Sequence, residues 1–120
     1  VYGGEVLKRD LAYHQGTVWT YPLGAYYLAY LKVNGYSDEA KAYIRKQMEV
    51  LENALREGCI GQLPEIYDGE NPVSSKGCFA QAWSTGELLR VYETLERGGD
   101  ENGFCSSISQ DIRTDELCAG

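Results

Sequence analysis

The sequence predicts an all-α fold of about three main helices joined by long loops. Three segments carry apolar residues at helical spacing between recognisable start and stop signals, and no convincing β-branched alternation marks a strand. One of these helices is strongly apolar, whereas the next has a clear polar face. This combination is typical of a double-layered helical barrel, so we expect residues 1–98 to form part of such a barrel.

The first predicted helix runs from about Pro22 to Val33. Proline suits the first turn of a helix, and Asn34-Gly35 supplies the stop. Its large apolar residues recur at helical spacing: Leu23, Tyr26, Tyr27, Tyr30 and Leu31. We expect this helix to be buried on more than one side.

The second predicted helix runs from about Asp38 to Arg56. Ser37 is a good N-cap, Asp38 complements the positive helix start, and Gly58 lies beyond the end. The predicted buried stripe is Ala40, Tyr43, Ile44, Met48, Leu51, Ala54 and Leu55. Charged residues occupy the other side, which we expect to face solvent.

The third predicted helix spans about Phe79 to Arg97, with Gly98-Gly99 as its stop. Its predicted apolar face is Leu88, Leu89, Tyr92 and Leu95. From residue 99 to 120 the composition turns to Gly, Ser, Asp and Glu, which predicts a flexible or weakly docked tail.

Composition excludes several classes of function. The net charge of −7, from 18 acidic and 11 basic residues, leaves no basic face for nucleic acid. No apolar run approaches the roughly 20 residues that span a bilayer, so we expect no membrane partner. The start at Val1 has no basic-then-apolar leader and no Met, which suggests a piece of a longer protein.

The four cysteines indicate a reducing, cytoplasmic compartment. They are Cys59, Cys78, Cys105 and Cys118, unevenly spaced and without a C-x-x-C pair, so we expect free thiols. A Cys59–Cys78 disulfide is the alternative. A single histidine without ligands at metal-binding spacing predicts no metal site, and no feature calls for a cofactor.

A Pro/Gly-rich loop over residues 61–69 holds the candidate catalytic carboxylate, Glu65. Pro64 restricts the backbone just before it, and glycines on either side allow sharp turns, so the loop can hold a general base rigidly. The alternative is a solvated or helix-capping carboxylate. For Asp68 we expect a turn in which its side chain bonds backbone amides just downstream. Asp10 and Glu70 are weaker candidates than Asp68 for a second catalytic carboxylate.

Polar and aromatic residues before and after this loop in the sequence are of the types that bind sugars. His14 has the reach to bond a sugar hydroxyl, or else packs against Trp19 to hold its loop. Trp19 and Trp83 are candidates to stack on a sugar ring, with a core anchor as the alternative. Gln81 can bond vicinal hydroxyls, or else caps the third helix.

Three blocks of sequence occur in order: YHQGTVW at 13–19, CIGQLPEIYDG at 59–69, and GCFAQAWS at 77–84 followed by ELLR at 87–90. Together they resemble the C-terminal end of glycogen debranching enzymes of the amylo-α-1,6-glucosidase type. The resemblance covers about residues 10–96. In many relatives Pro directly follows the motif Trp, whereas Thr20-Tyr21 precede Pro22 here.

The resemblance implies the C-terminal fragment of an (α/α)6 barrel that hydrolyses α-1,6-linked glucose at branch points with inversion. It implies Glu65 as general base and an Asp upstream of this chain as general acid, so that the chain alone is inactive. It also implies a glucose site shaped by His14, Gln15, Trp19, Gln81, Trp83 and Tyr13. The implied partner is a branched α-glucan or malto-oligosaccharide.

Three other functions are alternatives to a debranching glucosidase. Glucoamylase-type enzymes share the Pro-Glu loop and Trp-Ser helix start, which leaves the linkage open. A stand-alone carbohydrate-binding module would use Trp19 and Trp83 but not Glu65, and a helical interaction domain would bind no sugar. A slice of a barrel would expose apolar surface, so we expect the chain to self-associate.

Overall fold

A computed structural model describes residues 1–57, 59–71 and 73–97. Its elements are α1 (Val6–Tyr13), β1 (Thr17–Trp19), α2 (Pro22–Val33), α3 (Asp38–Ala54), β2 (Ile66–Asp68), β3 (Ser75–Lys76) and α4 (Ala82–Arg97). The expected tail over residues 99–120 lies outside the described residues. Within the described part, no helix has both the length and the apolarity to cross a membrane.

The three predicted helices are confirmed, with shifts at their ends. α2 has the predicted bounds, and α3 starts where expected because the Ser37 hydroxyl accepts a hydrogen bond from Ala40 N, 3.3 Å away. α4 begins at Ala82 instead of Phe79. The preceding segment is held elsewhere, since Gln81 N donates to the Leu63 carbonyl oxygen at 2.8 Å.

The all-α prediction is confirmed only in part: the described chain is helix-rich, but three short strands also form an antiparallel sheet in the order β1-β2-β3. Val18 pairs with Tyr67, which in turn pairs with Ser75. Each strand has only two or three residues, too few to show alternation, and β1 pairs with a segment far away in the chain. Sequence patterns also do not predict α1, whose N-cap residue Glu5 makes no side-chain hydrogen bond to the helix.

The core lies where α2, α3 and α4 meet, and it includes Leu63 from the loop that holds Glu65. Leu31, Ile44, Met48 and Val91 are fully buried, and Leu63 joins them from the loop. The four most deeply buried positions of the predicted α3 stripe are confirmed: Ala40, Ile44, Met48 and Ala54. The charged side of α3 is exposed, as predicted.

Three surface positions contradict the sequence analysis. Tyr26 is 54% exposed, so the described residues bury α2 on one side only. Tyr43 is largely exposed and its ring lies against that of Tyr30, with centroids 4.9 Å apart. Leu89, assigned to the apolar face of α4, is 62% exposed, whereas Leu88 and Leu95 are buried. Helical spacing was correct, but the neighbours cover a narrower arc of each helix than expected.

The close approach of α2 to α4 brings β1 and the start of α4 together. A Cβ placed on the buried Gly24 would lie 2.6 Å from the Cβ of Glu87, so only glycine permits this packing. Just before α2, the buried Thr20 hydroxyl donates to the Ser84 hydroxyl at 3.1 Å. These contacts set the positions of Trp19 and Trp83.

Candidate active site

Glu65 immediately precedes β2 and is held along both its backbone and its side chain. It is 9% exposed and lies between the buried residues Pro64 and Ile66. Its N–H donates to the Cys78 carbonyl oxygen at 2.8 Å, and its Oε2 accepts from Cys78 N at 3.0 Å. The solvated carboxylate considered as the alternative is therefore wrong for Glu65.

Gly77 makes these two hydrogen bonds between Glu65 and Cys78 possible. Its φ of +69° is a backbone conformation that residues with a side chain rarely adopt. A Cβ at this position would also lie 2.5 Å from Oε2 of Glu65 and 3.1 Å from Cγ1 of Ile66. The absence of a side chain thus lets the β3–α4 connection approach the carboxylate.

The second carboxylate oxygen, Oε1, accepts a hydrogen bond from the Tyr13 hydroxyl. This bond to Glu65 is the main reason that the pKa of Tyr13 is raised to about 12, and burial and the carboxylate charge add to it. The phenol therefore keeps its proton at neutral pH. Each oxygen of Glu65 has one fixed donor, which sets the plane of the carboxylate.

The carboxylate borders a cleft of about 350 Å³ between α1 and the β3–α4 connection. Its lining residues are Tyr2, Arg9, Asp10, Tyr13, Glu65, Gly77 and Cys78. Asp10, which the sequence analysis ranked behind Glu65, is thus a second carboxylate in the same cleft. A buried carboxylate with a fixed orientation beside such a cleft can accept a proton from a bound water.

Aromatic rings continue from Tyr13 along one side of the molecule. The Tyr13 ring meets Trp19 edge-on at 4.8 Å, and Trp19 meets Trp83 at 6.1 Å. His14 stacks on Trp19, with centroids 5.6 Å apart and planes 5° from parallel. The packing considered as the alternative for His14 is thus observed, and a sugar contact from its exposed edge stays a prediction.

Tyr21 is an aromatic residue that the sequence analysis did not single out. Its ring lies 5.0 Å from that of Trp83 and 30° from parallel, and the two side chains are 41% and 48% exposed. Trp19 is more covered, and its indole N–H donates to the Tyr13 carbonyl oxygen at 3.3 Å. Trp19 therefore anchors the group, while Tyr21 and Trp83 present free surface. The sequence feature that could have identified Tyr21 is its place two positions after Trp19.

The two candidate glutamines lie outside the lining of the Glu65 cleft. Gln15 is exposed in the turn after α1, where its N–H bonds the Ala12 carbonyl oxygen at 2.9 Å. Gln81 directly precedes α4, and its carbonyl oxygen accepts from Thr85 N at 3.3 Å. The position of Gln81 at the helix start agrees with its alternative role as a cap of this helix. Sugar contacts by the Gln15 and Gln81 side chains stay predictions.

Asp68 has a structural role, but through different partners than expected. It is 3% exposed and accepts from Tyr2 N at 2.7 Å and from the Ser74 hydroxyl at 2.9 Å, with the Lys76 ammonium 3.8 Å away. The predicted bonds to amides just downstream are wrong. The Tyr2 N–H is the main cause that lowers the pKa of Asp68.

Cys59 and Cys78, the two cysteines in the described part of the chain, are free thiols, as predicted. The alternative disulfide between them is therefore not formed. Among the described residues, no group of three or more His, Cys, Asp or Glu side chains is placed to hold a metal ion. Cys105 and Cys118 lie outside the described residues.

A rigidly held carboxylate beside a cleft, with exposed aromatic rings nearby, is the kind of site found in glycoside hydrolases. The sequence profile of one such family, described as amylo-alpha-1,6-glucosidase, matches residues 1–90 of the 120-residue chain. The chain belongs to the amylo-alpha-1,6-glucosidase family, which confirms the resemblance to glycogen debranching enzymes. No curated protein and no solved structure gives a significant match.

Proposed function

We propose that this chain supplies the general base, Glu65, of a debranching glucosidase that releases α-1,6-linked glucose from branched α-glucan with inversion. The observation that carries the proposal is the Glu65 carboxylate, buried to 9% exposure, with a donor on each oxygen and a cleft beside it. The family match supports the substrate class. No metal or cofactor takes part in this scheme.

In the proposed reaction, Glu65 takes a proton from a water as the water oxygen attacks the anomeric carbon. The bond from that carbon to the branch oxygen breaks, and a general acid on the opposite side of the sugar protonates the leaving oxygen. Inverting enzymes hold the two carboxyl groups about 6.5–9.5 Å apart to leave room for the water. One carboxyl of this pair is Glu65.

We place the general acid outside this chain, although Asp10 lies in the same cleft. Asp10 precedes Tyr13 by three residues on α1, so both lie on one face of that helix. Tyr13 bonds Glu65 from this side. An acid must lie across the scissile bond from the base, and a residue beside Tyr13 is on the wrong wall of the cleft for that role.

The exposed rings of Trp83 and Tyr21 are proposed to stack on glucose units, with His14, Gln15 and Gln81 as hydroxyl partners. Paired aromatic rings give a broad apolar surface for the C–H face of a sugar. Neither ring lines the Glu65 cleft itself, but ring contacts through Trp19 link both to Tyr13, which does. We further propose that residues 1–98 are part of an (α/α)6 barrel in a cytoplasmic enzyme.

The test is Glu65→Gln in the full-length protein that carries this chain. The substrate is a malto-oligosaccharide with one α-1,6-linked glucose, and glucose release is measured. We expect kcat to fall roughly a hundred- to ten-thousand-fold with little change in KM, since general-base catalysis contributes about that factor. Glu70→Gln, an exposed carboxylate in the same loop, is the matched control and should keep full activity. Retained turnover in Glu65→Gln would contradict the proposal.

Two further measurements separate the alternatives. Faster glucose release from linear α-1,4 than from α-1,6 substrates would favour a glucoamylase-type enzyme. The exposed Trp83–Tyr21 pair favours a carbohydrate-binding module as the second candidate function. That candidate requires the chain alone to bind malto-oligosaccharide equally well with and without Glu65→Ala, in isothermal titration calorimetry.

A further inference from the structure

We infer that Tyr13 is a positioning residue for the base: its hydroxyl holds the Glu65 carboxylate in the orientation that receives the attacking water. The inference rests on the proposed function of Glu65. The sequence analysis assigned Tyr13 to sugar binding. Its hydroxyl proton is instead engaged by Oε1 of Glu65, so only the oxygen lone pairs remain available to a substrate hydroxyl.

Tyr13 is itself held by four contacts, two to its ring and two to its carbonyl oxygen. Its ring meets Trp19 edge-on at 4.8 Å and His14 at 5.0 Å. Its carbonyl oxygen accepts from the Thr17 hydroxyl at 2.6 Å and from the Trp19 indole N–H at 3.3 Å. These local bonds matter because every residue of α1 is exposed or half-buried, so the helix is not fixed by a core of its own.

The orientation of the carboxylate depends on having both donors. The last torsion of a glutamate side chain has a broad energy minimum, so one hydrogen bond leaves the carboxylate free to rotate. Cys78 N holds Oε2 from the β3–α4 connection, and Tyr13 holds Oε1 from α1. Each oxygen keeps a second lone pair for the water. Loss of the Tyr13 hydroxyl should therefore misalign the base without removing it.

The first test is Tyr13→Phe in the full-length protein, which removes the hydroxyl and keeps the ring against Trp19. We expect kcat to fall roughly ten- to a hundred-fold with KM nearly unchanged, because small displacements of reacting groups cost factors of this size. Tyr43→Phe is the matched control: it removes the same hydroxyl from a tyrosine that lies on α3 and does not line the cleft. This control should keep full activity.

The outcomes are distinguishable. A raised KM with unchanged kcat would make Tyr13 a substrate contact and overturn the inference, as would full activity in Tyr13→Phe. If Glu65→Gln destroys turnover and Tyr13→Phe does not, only the positioning role fails. If Glu65→Gln keeps turnover, the proposed function fails regardless of Tyr13.

A second measurement does not depend on the folding of Tyr13→Phe. The hydroxyl of Tyr13 is titrated by NMR of the chain carrying ¹³Cζ-tyrosine. Its pKa of about 12 should fall toward 10.0 in Glu65→Gln, because the bond to Glu65 is the main cause of the shift. The variant keeps the other titratable residues that line the cleft, which are Tyr2, Arg9, Asp10 and Cys78. An unchanged titration of Tyr13 would show that the bond is not made and would overturn the inference.

Discussion

Glu65 is held by residues from two distant parts of the chain. Tyr13 lies 52 positions before it and Cys78 lies 13 positions after it, yet each donates to one carboxylate oxygen. Pro64 and the nearby glycines made Glu65 a candidate by local rules. Its two donors belong to the tertiary structure, and they distinguish this carboxylate from the exposed Glu70 five residues on.

Gly77→Ala tests how closely the carboxylate is enclosed. The new Cβ would collide with Oε2 of Glu65, in addition to the strain of a positive φ. We expect a loss of roughly 2–4 kcal/mol in the free energy of unfolding, from about 1–2 for the backbone and about 1–2 for overpacking. Urea unfolding of the chain measures this loss.

Gly61→Ala is the matched control, because Gly61 has a φ of +74° but open space where the Cβ would be. It should lose only the backbone share, about 1–2 kcal/mol. Equal losses in the two variants would show that the space around Glu65 is not tight. In the full-length protein, only Gly77→Ala should also reduce turnover, since only it displaces the carboxylate.

At the scale of elements, the sheet connects the beginning of the chain to the Glu65 loop. Asp68 ends β2 and accepts a bond from Tyr2 N, while β3 contributes Lys76 and the preceding residue contributes the Ser74 hydroxyl. Gly69 N also bonds the Gly16 carbonyl oxygen at 3.0 Å. One buried carboxylate therefore helps to keep the N-terminal segment, which carries Tyr2, beside the cleft.

Asp68 should make stability depend on acid pH. Its pKa is lowered in the folded chain, chiefly by Tyr2 N–H, so its contribution is present above the unfolded value of 3.8. That contribution is lost as pH falls below 3.8 through the lowered value. We expect Asp68→Asn to reduce Tm at pH 7 and to flatten the fall of Tm between pH 5 and 2.

Thermal unfolding followed by circular dichroism over that pH range measures the effect. Glu70→Gln is the control, since this exposed carboxylate should leave the pH dependence of Tm as it is in the wild type. An Asp68→Asn protein with the wild-type pH dependence would show that the buried cluster does not titrate as described.

At the scale of the whole molecule, the described residues leave much apolar surface exposed. α1 exposes Leu7 and Leu11 to 70% and 62%, and these residues are four positions apart on one helix face. Tyr26 on α2 and Leu89 on α4 are more than half exposed as well. Exposed apolar surface of this kind fits the proposed barrel, in which the chain would pack against further helices.

The chain alone should therefore self-associate as its concentration rises. Multi-angle light scattering should give an average mass above 13.4 kDa, and Leu7→Lys with Leu11→Lys should lower that mass. Asn53→Lys with Asn71→Lys adds the same charge at exposed polar positions and should leave the association unchanged. A strictly monomeric chain at millimolar concentration would contradict this expectation.

The sequence by itself determined that α2, α3 and α4 form, and it made Glu65 the candidate catalytic carboxylate. Helix signals act over about four residues, so periodicity, the Ser37 cap and Pro22 were sufficient to find the helices. The three sequence blocks were sufficient to indicate the family, which the profile match then confirmed.

Only the tertiary structure decided how these parts meet. The sheet pairs Val18 with Tyr67, and Glu65 accepts a hydrogen bond from Tyr13, across about 50 residues in each case, a range over which local patterns carry no information. The exposure of Tyr26 and Leu89 depends on which neighbours are present and not on helical spacing. Short-range backbone preferences therefore predicted the helices, whereas long-range contacts built the site.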